Sequence, residues 1–152
     1  TEAGEELAQV KFVKHHYGPY ADVLRHVLEK MDGHFITGYG AGENKPDTPI
    51  HLKPEAAAEA EQYLKEHVDT RVRFDRVSEL IEGFETPFGM ELLATVHWVA
   101  TREDAEAARK PEAAAKAVRA WSTRKADLMR PEQVAAAWRR LKDLGWMKHE
   151  IE

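Results

Sequence analysis

Eight histidines, 27 carboxylates and two serines are the side chains of this 152-residue chain with chemistry to offer. The histidines are His15, His16, His26, His34, His51, His67, His97 and His149. None forms a His-Glu-x-x-His or His-x-x-x-His pair, the spacing that puts two imidazoles on one helix face. Without cysteine, a metal site would need imidazoles and carboxylates from distant segments. No metal and no cofactor is therefore expected. His97 lies in a run of apolar residues and reads as a hydrogen-bonded core histidine. Ser78 and Ser122 stand outside any Gly-x-Ser-x-Gly setting, and a chain without cysteine has no thiolate nucleophile. No catalytic residue is assigned. Gly38, Gly40 and Gly42 follow a short apolar run, but Pro46 and Pro49 intervene where a dinucleotide fingerprint needs a helix. They read as a flexible hairpin loop.

Two groups survive as candidate interaction sites. One is the loop from Tyr39 to Pro49, with Glu43 and Asp47 on a small, polar segment. The other is the carboxylate series Glu79, Glu82, Glu85 and Glu91 around Phe84. Acidic groups about a helical turn apart can imitate a phosphate track before a basic cleft.

The elements that must position these residues are mostly helices. Apolar residues at spacings of three and four predict a helix opening at Pro19 and closing before Gly33, with Val23, Leu24, Val27, Leu28 and Met31 on one face. His34–Gly40 and Ile50–Leu52 read as a small β-hairpin. A helix from Pro54 to about His67 should bury Ala57, Ala60, Leu64 and Val68. Another, capped by Asp69 or Thr70, should bury Phe74, Val77, Leu80, Ile81 and Phe84. Thr86-Pro87 is a cap followed by a first-turn proline. The helix it opens is apolar almost all round, as a central helix is. Two Ala-rich helices follow from Pro111 and Pro131, the last with Val134, Trp138, Leu141 and Leu144 inward and Trp146 and Met147 folding back. The expectation is one mainly α domain of about six helices, a hairpin near 34–52 and a winged-helix-like C-terminal part.

Composition narrows the classes. A hydrophobic fraction of 43% with 32% charged residues is that of a globular protein. No run of about 18 apolar residues could span a membrane, and the absence of cysteine makes a cytoplasmic location the expectation. Alanine occurs 22 times against one asparagine and three glutamines, a heat-adapted profile. The net charge of −5 is unevenly spread: residues 1–100 carry 18 acidic and 10 basic side chains, residues 101–152 carry 9 and 12. An acidic body argues against direct nucleic-acid binding, which needs Lys and Arg at the phosphates. A DNA-binding, autoregulatory module would have to use Arg124, Lys125, Arg139, Arg140 and Lys142. The chain begins at Thr1, and we expect a piece of a longer protein.

Three long motifs carry a resemblance. They are His16-Tyr17-Gly18-Pro19-Tyr20-Ala21-Asp22-x-Leu24-Arg25-His26-Val27-Leu28, then Gly33-His34-x-Ile36-x-Gly38-Tyr39-Gly40, then Leu80 to Trp98 with Glu82-Gly83-Phe84-Glu85-Thr86-Pro87-x-Gly89-x-Glu91 at its heart. Trp121-x-x-Arg124-Lys125 and Leu141-Lys142-x-Leu144-Gly145-Trp146 fit the same pattern. In this order and spacing the chain resembles the C-terminal domain of the DarG antitoxins, and more distantly the Panacea-type antitoxin domains. Within the motifs, Tyr17, Gly18, Pro19, Tyr20, Thr86, Pro87, His97 and Trp98 are expected to be structural. The resemblance implies a partner: DarT, a toxin that uses NAD to ADP-ribosylate thymine in single-stranded DNA. It also implies an N-terminal macrodomain that hydrolyses the modification and that this chain lacks. A C-terminal domain of this kind is implied to bind DarT and block its DNA site. Tyr39, Glu43, Asp47, Glu79, Glu82, Phe84, Glu85 and Glu91 are the contacts this suggests. The alternatives that stay open are the DNA-binding module and an ADP-ribosyl hydrolase.

Overall fold

A computed structural model describes residues 1–5, 7, 10–40 and 48–147. Among these residues there are seven α-helices, one π-helical turn and two short antiparallel strand pairs. The chain is mainly α, as its periodicity predicts. It divides into two compact units. One comprises Thr1, Ala3–Phe12 and Ala21–Asp75; the other comprises Glu2, Val13–Tyr20 and Arg76–Glu152.

The first unit holds α1 (Asp22–Met31), strands at Ile36–Thr37 and His51–Leu52, α2 (Pro54–Glu66) and the first two turns of α3 (Val68–Ile81). The strand pair is the predicted hairpin, with Ile36 opposite Leu52. Gly38 turns the chain at φ +100°, and a Cβ there would lie 2.4 Å from the Pro49 carbonyl oxygen. Only glycine fits that approach. Pro54 starts α2 at its first turn. Burial in this unit departs from expectation. Its buried apolar residues are Ala21, Ile36 and Ala56. Val27, Phe35, Ile50, Leu52, Tyr63, Val68, Val72 and Phe74 are all exposed. Ala60 and Val77 of the predicted inward faces are exposed as well, and the one buried residue of α2 is Ala56.

The second unit holds the core. The strands here are β1 (Val13–His15) and β2 (Gly18–Tyr20), with β3 and β4 assigned to the hairpin of the first unit. Pro19 sits in β2, not at a helix start. In a two-stranded ribbon its missing N–H costs little, and α1 begins three residues later with Ala21 as its cap. Helix α4 (Pro87–Trp98) is central: Gly89, Leu92, Leu93, Thr95 and Val96 are buried, and β2, α5 and α7 pack on it. The Thr86 side chain accepts from Gly89 N at 2.9 Å, capping the helix as read from Thr-Pro. A π-helical turn, Val99–Glu103, continues α4. Then come α5 (Pro111–Trp121), α6 (Thr123–Leu128) and α7 (Pro131–Asp143). The seventh helix arises because Ser122 adopts extended backbone and its hydroxyl caps α6 from Lys125 N. Val134, Trp138, Leu141 and Trp146 are buried as predicted. No strand pair follows α7 among the described residues; the hairpin packed on α4 comes from residues 13–20. A winged-helix-like unit would carry its wing after α7, and the described residues end at 147.

Candidate functional site

In the second unit one carboxylate organises its surroundings. Glu91, on the first turns of α4, receives Lys125 Nζ at 2.7 Å and both terminal nitrogens of Arg124, with Nη2 at 3.1 Å from Oε2. Lys125 is fully buried and also donates to Thr95 Oγ1 at 3.0 Å. Arg124 lies over the Tyr17 ring, 4.7 Å from its centroid. Burial pushes the Glu91 carboxyl up, but the hydrogen bonds and charges of Arg124 and Lys125 outweigh it and hold the group below the usual range. Burial also pushes Lys125 down, partly offset by Glu91. A cation with no access to water survives only with such partners. The geometry makes Glu91 an internal tie between α4 and α6.

The other carboxylates of the series sit where α3 meets α4. Phe84 is half-buried between the two helices, and Glu79, Glu82 and Glu85 are exposed. Glu85 accepts from Gly83 N at 2.7 Å. Arg140 of α7 donates to the carbonyls of Leu80 (3.2 Å), Glu79 and Glu82, and its guanidinium stands 3.7 Å from the Glu82 carboxylate. It satisfies carbonyls that the end of α3 leaves without helical partners. Thus Glu79, Glu82, Phe84 and Glu85 share one corner, and Glu91 faces inward away from that role.

Tyr39 belongs to the first unit. It is half-buried, and its N–H donates to Asp32 Oδ1 at 3.1 Å, pinning the base of the loop. Glu43 and Asp47 lie outside the described residues.

The motif residues expected to be structural are placed as follows. Gly18 is buried, and a Cβ on it would lie 3.7 Å from Thr95 Oγ1. Pro19 and Tyr20 complete β2, and Tyr20 packs against His15. Thr86 and Pro87 open α4. His97 is largely buried; burial lowers its pKa, against the raising influences of Glu2 and a hydrogen bond to the Trp146 backbone. Trp98 donates to Glu103 Oε1 at 3.0 Å and meets Trp121 edge-on at 6.4 Å. Trp121 in turn donates to the His15 carbonyl and carries Lys14 over its ring. This belt of aromatic rings and cations ties the β1–β2 hairpin to α5 and the π-helical turn. Sequence spacing gives no sign of it, because Lys14 and His15 are about a hundred positions from their partners Glu103 and Trp121.

Among the described residues no three His, Asp or Glu side chains converge to hold a metal ion, and no helix is long and apolar enough to cross a membrane.

Comparison with known proteins gives the following. No family model matches the chain. A DNA ADP-ribosyl glycohydrolase of Thermus aquaticus is 40% identical over 125 residues, 82% of this chain and 33% of that protein. DNA ADP-ribosyl glycohydrolases of Mycobacterium tuberculosis and Mycobacterium bovis are each 39% identical over 150 residues, 93% of this chain and 40% of theirs. The chain spans about a third to two fifths of the length of the curated relatives it matches. With this identity along most of its length, the chain is similar to one part of these longer DarG proteins.

Proposed function

We propose that this chain is the toxin-binding, C-terminal antitoxin domain of a DarG-type protein. It binds DarT and inhibits it by occupying the site for single-stranded DNA. The observation that carries this reading is the 39–40% identity over 82–93% of the chain to relatives of which it spans only a part. The glycohydrolase activity that names those relatives would reside in the macrodomain, and this chain would turn nothing over.

Charge supports the reading. The first unit carries 13 acidic and 8 basic side chains; the second carries 14 of each. The whole excess of −5 therefore belongs to one unit. A toxin that grips single-stranded DNA needs a basic groove, and an acidic protein surface is its electrostatic complement.

The competing DNA-binding module loses most of its cations. Arg124 and Lys125 are held by Glu91, Arg140 caps α3, and Lys142 lies over the Trp138 ring at 4.5 Å. Only Arg139 of the five is left without such an engagement among the described residues. An ADP-ribosyl hydrolase reading has no constellation of groups behind it; product from ADP-ribosylated DNA incubated with this chain would revive it.

Calorimetric titration with purified DarT of the same system tests the proposal. A one-to-one complex is expected, weakening as salt rises and suppressing DNA modification. Absence of detectable binding at low salt overturns it.

A further inference from the structure

Helices α2 and α3 meet at a corner formed by His67, in the unit that holds the whole negative excess. Along α2, Glu55, Glu59, Gln62 and Glu66 recur at intervals of four, three and four, which places them on one face. All four are exposed. At 1.5 Å per residue the stripe runs for about 16 Å. Among the described residues no cation pairs with Glu55, Glu59, Glu66 or Asp69. The nearby arginines are already engaged: Arg71 with Glu61 and Asp75, Arg73 with Glu5.

The same corner is apolar where a surface helix is ordinarily polar. Val68 is 66% exposed, Val72 53% and Tyr63 53%. Tyr63 is stacked on His67, with centroids 3.8 Å apart and planes at 11°. No residue of α3 is buried, and Ala56 is the one buried in α2. The turn encloses an open concavity of about 450 Å³, lined by Glu66, His67, Val68, Asp69, Thr70 and Arg73. Two of its walls are carboxylates that no cation neutralises among the described residues, Asp69 and Glu66, the latter accepting from Gln62 Nε2 at 2.8 Å, and Val68 stands between them. Exposed apolar side chains rimmed by charge mark interaction surfaces, and a tyrosine at the centre is a common energetic anchor.

From these observations we infer that the α2–α3 corner is the docking surface of this chain. Its occupant is a basic protein surface, presenting lysine or arginine side chains among apolar ones. A long cationic side chain matches the concavity on both counts: its aliphatic stem covers Val68 and its head reaches Glu66 or Asp69. A second copy of the chain fits badly, because it would bring two surfaces of like charge together. The inference rests on the reading above that the partner is DarT, and it moves the contact from the Glu79–Glu91 series to a surface that the motifs do not mark.

The test uses the full chain and purified DarT in calorimetric titrations at low salt. The variants are E59K/E66K and V68K/V72K, with E112K/D127K as a charge-reversal control on the other unit. All six positions are exposed, and circular dichroism with thermal melting confirms folding. Each α2–α3 variant is expected to bind at least tenfold more weakly, with the control within about twofold of the parent. Folded α2–α3 variants that bind as tightly as the parent overturn the inference and leave the antitoxin reading standing. A parent chain that does not bind DarT overturns both. A parent that sediments as a dimer, made monomeric by V68K/V72K with DarT affinity unchanged, identifies a second copy as the occupant and overturns the inference.

Discussion

Glu91 shows how far a residue's neighbours decide its part. In the sequence it is the last of four glutamates in an acidic series. In the structure its partners come from 33 and 34 positions later, and one of them is a lysine cut off from water. Replacing Glu91 by alanine strands that charge, which costs about 3–5 kcal/mol when one member of a buried pair is removed. The paired replacement E91L/K125M should recover most of the loss, since a well-packed apolar pair substitutes for a buried ion pair without penalty. Urea unfolding of the three proteins measures both. His97 belongs to the same scale. Burial holds its pKa below the ordinary value of about 6.5. The unfolded chain therefore binds a proton more readily than the folded one. Stability is full above about pH 6.5 and falls as the pH drops through that region. Glu2 and Arg102 act on His97 in opposite directions. The depressed Glu91 adds a second loss below the ordinary carboxylate range, near pH 4. Urea midpoints between pH 7 and 5 should decline for the parent and flatten for H97F.

At the scale of elements, α4 is the one the sequence describes best. Thr86-Pro87 gives its start and its apolar circumference gives its central place, because both are local properties of the chain. Gly89 within it is less local. A Cβ there would stand 2.4 Å from the Phe84 carbonyl oxygen and 2.9 Å from two further backbone atoms of Phe84. Gly→Ala inside a helix ordinarily gains about 1 kcal/mol. Here the sign should reverse, with a loss of about 1–3 kcal/mol from overpacking against backbone, read as a lower Tm for G89A. Other elements were legible only in part. The α5–α6 break at Ser122 hides inside an Ala-rich run that reads as one helix. β1–β2 hides because its residues alternate poorly and Pro19 also suits a helix start. For α2 and α3 the pattern gives apolar residues at helical spacing but not their burial: Ala60, Val68, Phe74 and Val77 are exposed. Periodicity records which side chains share a face; it carries no information on what, if anything, packs there. That is why the α2–α3 corner, with Val68, Val72 and Tyr63 exposed, reads from the sequence as two buried helices.

For the whole molecule, the division at α3 reorganises the charge. Counted along the chain, the acidic excess spreads over the first hundred residues. Counted by unit, it sits with the helices that bury least, while the neutral unit has the core and the aromatic belt. One unit resembles a scaffold in its packing, and the other is acidic and buries few apolar side chains.

All four tryptophans, Trp98, Trp121, Trp138 and Trp146, fall in the scaffold-like unit, and the other has Tyr39 and Tyr63 as its large chromophores. Intrinsic tryptophan emission thus reports on one half of the protein only. A melt followed by tryptophan fluorescence would track the core around α4 and miss the loosening of α2 and α3, whereas circular dichroism sums over both. Disagreement between the two curves would be a property of where the indoles lie, and its size would measure how independently the acidic unit unfolds.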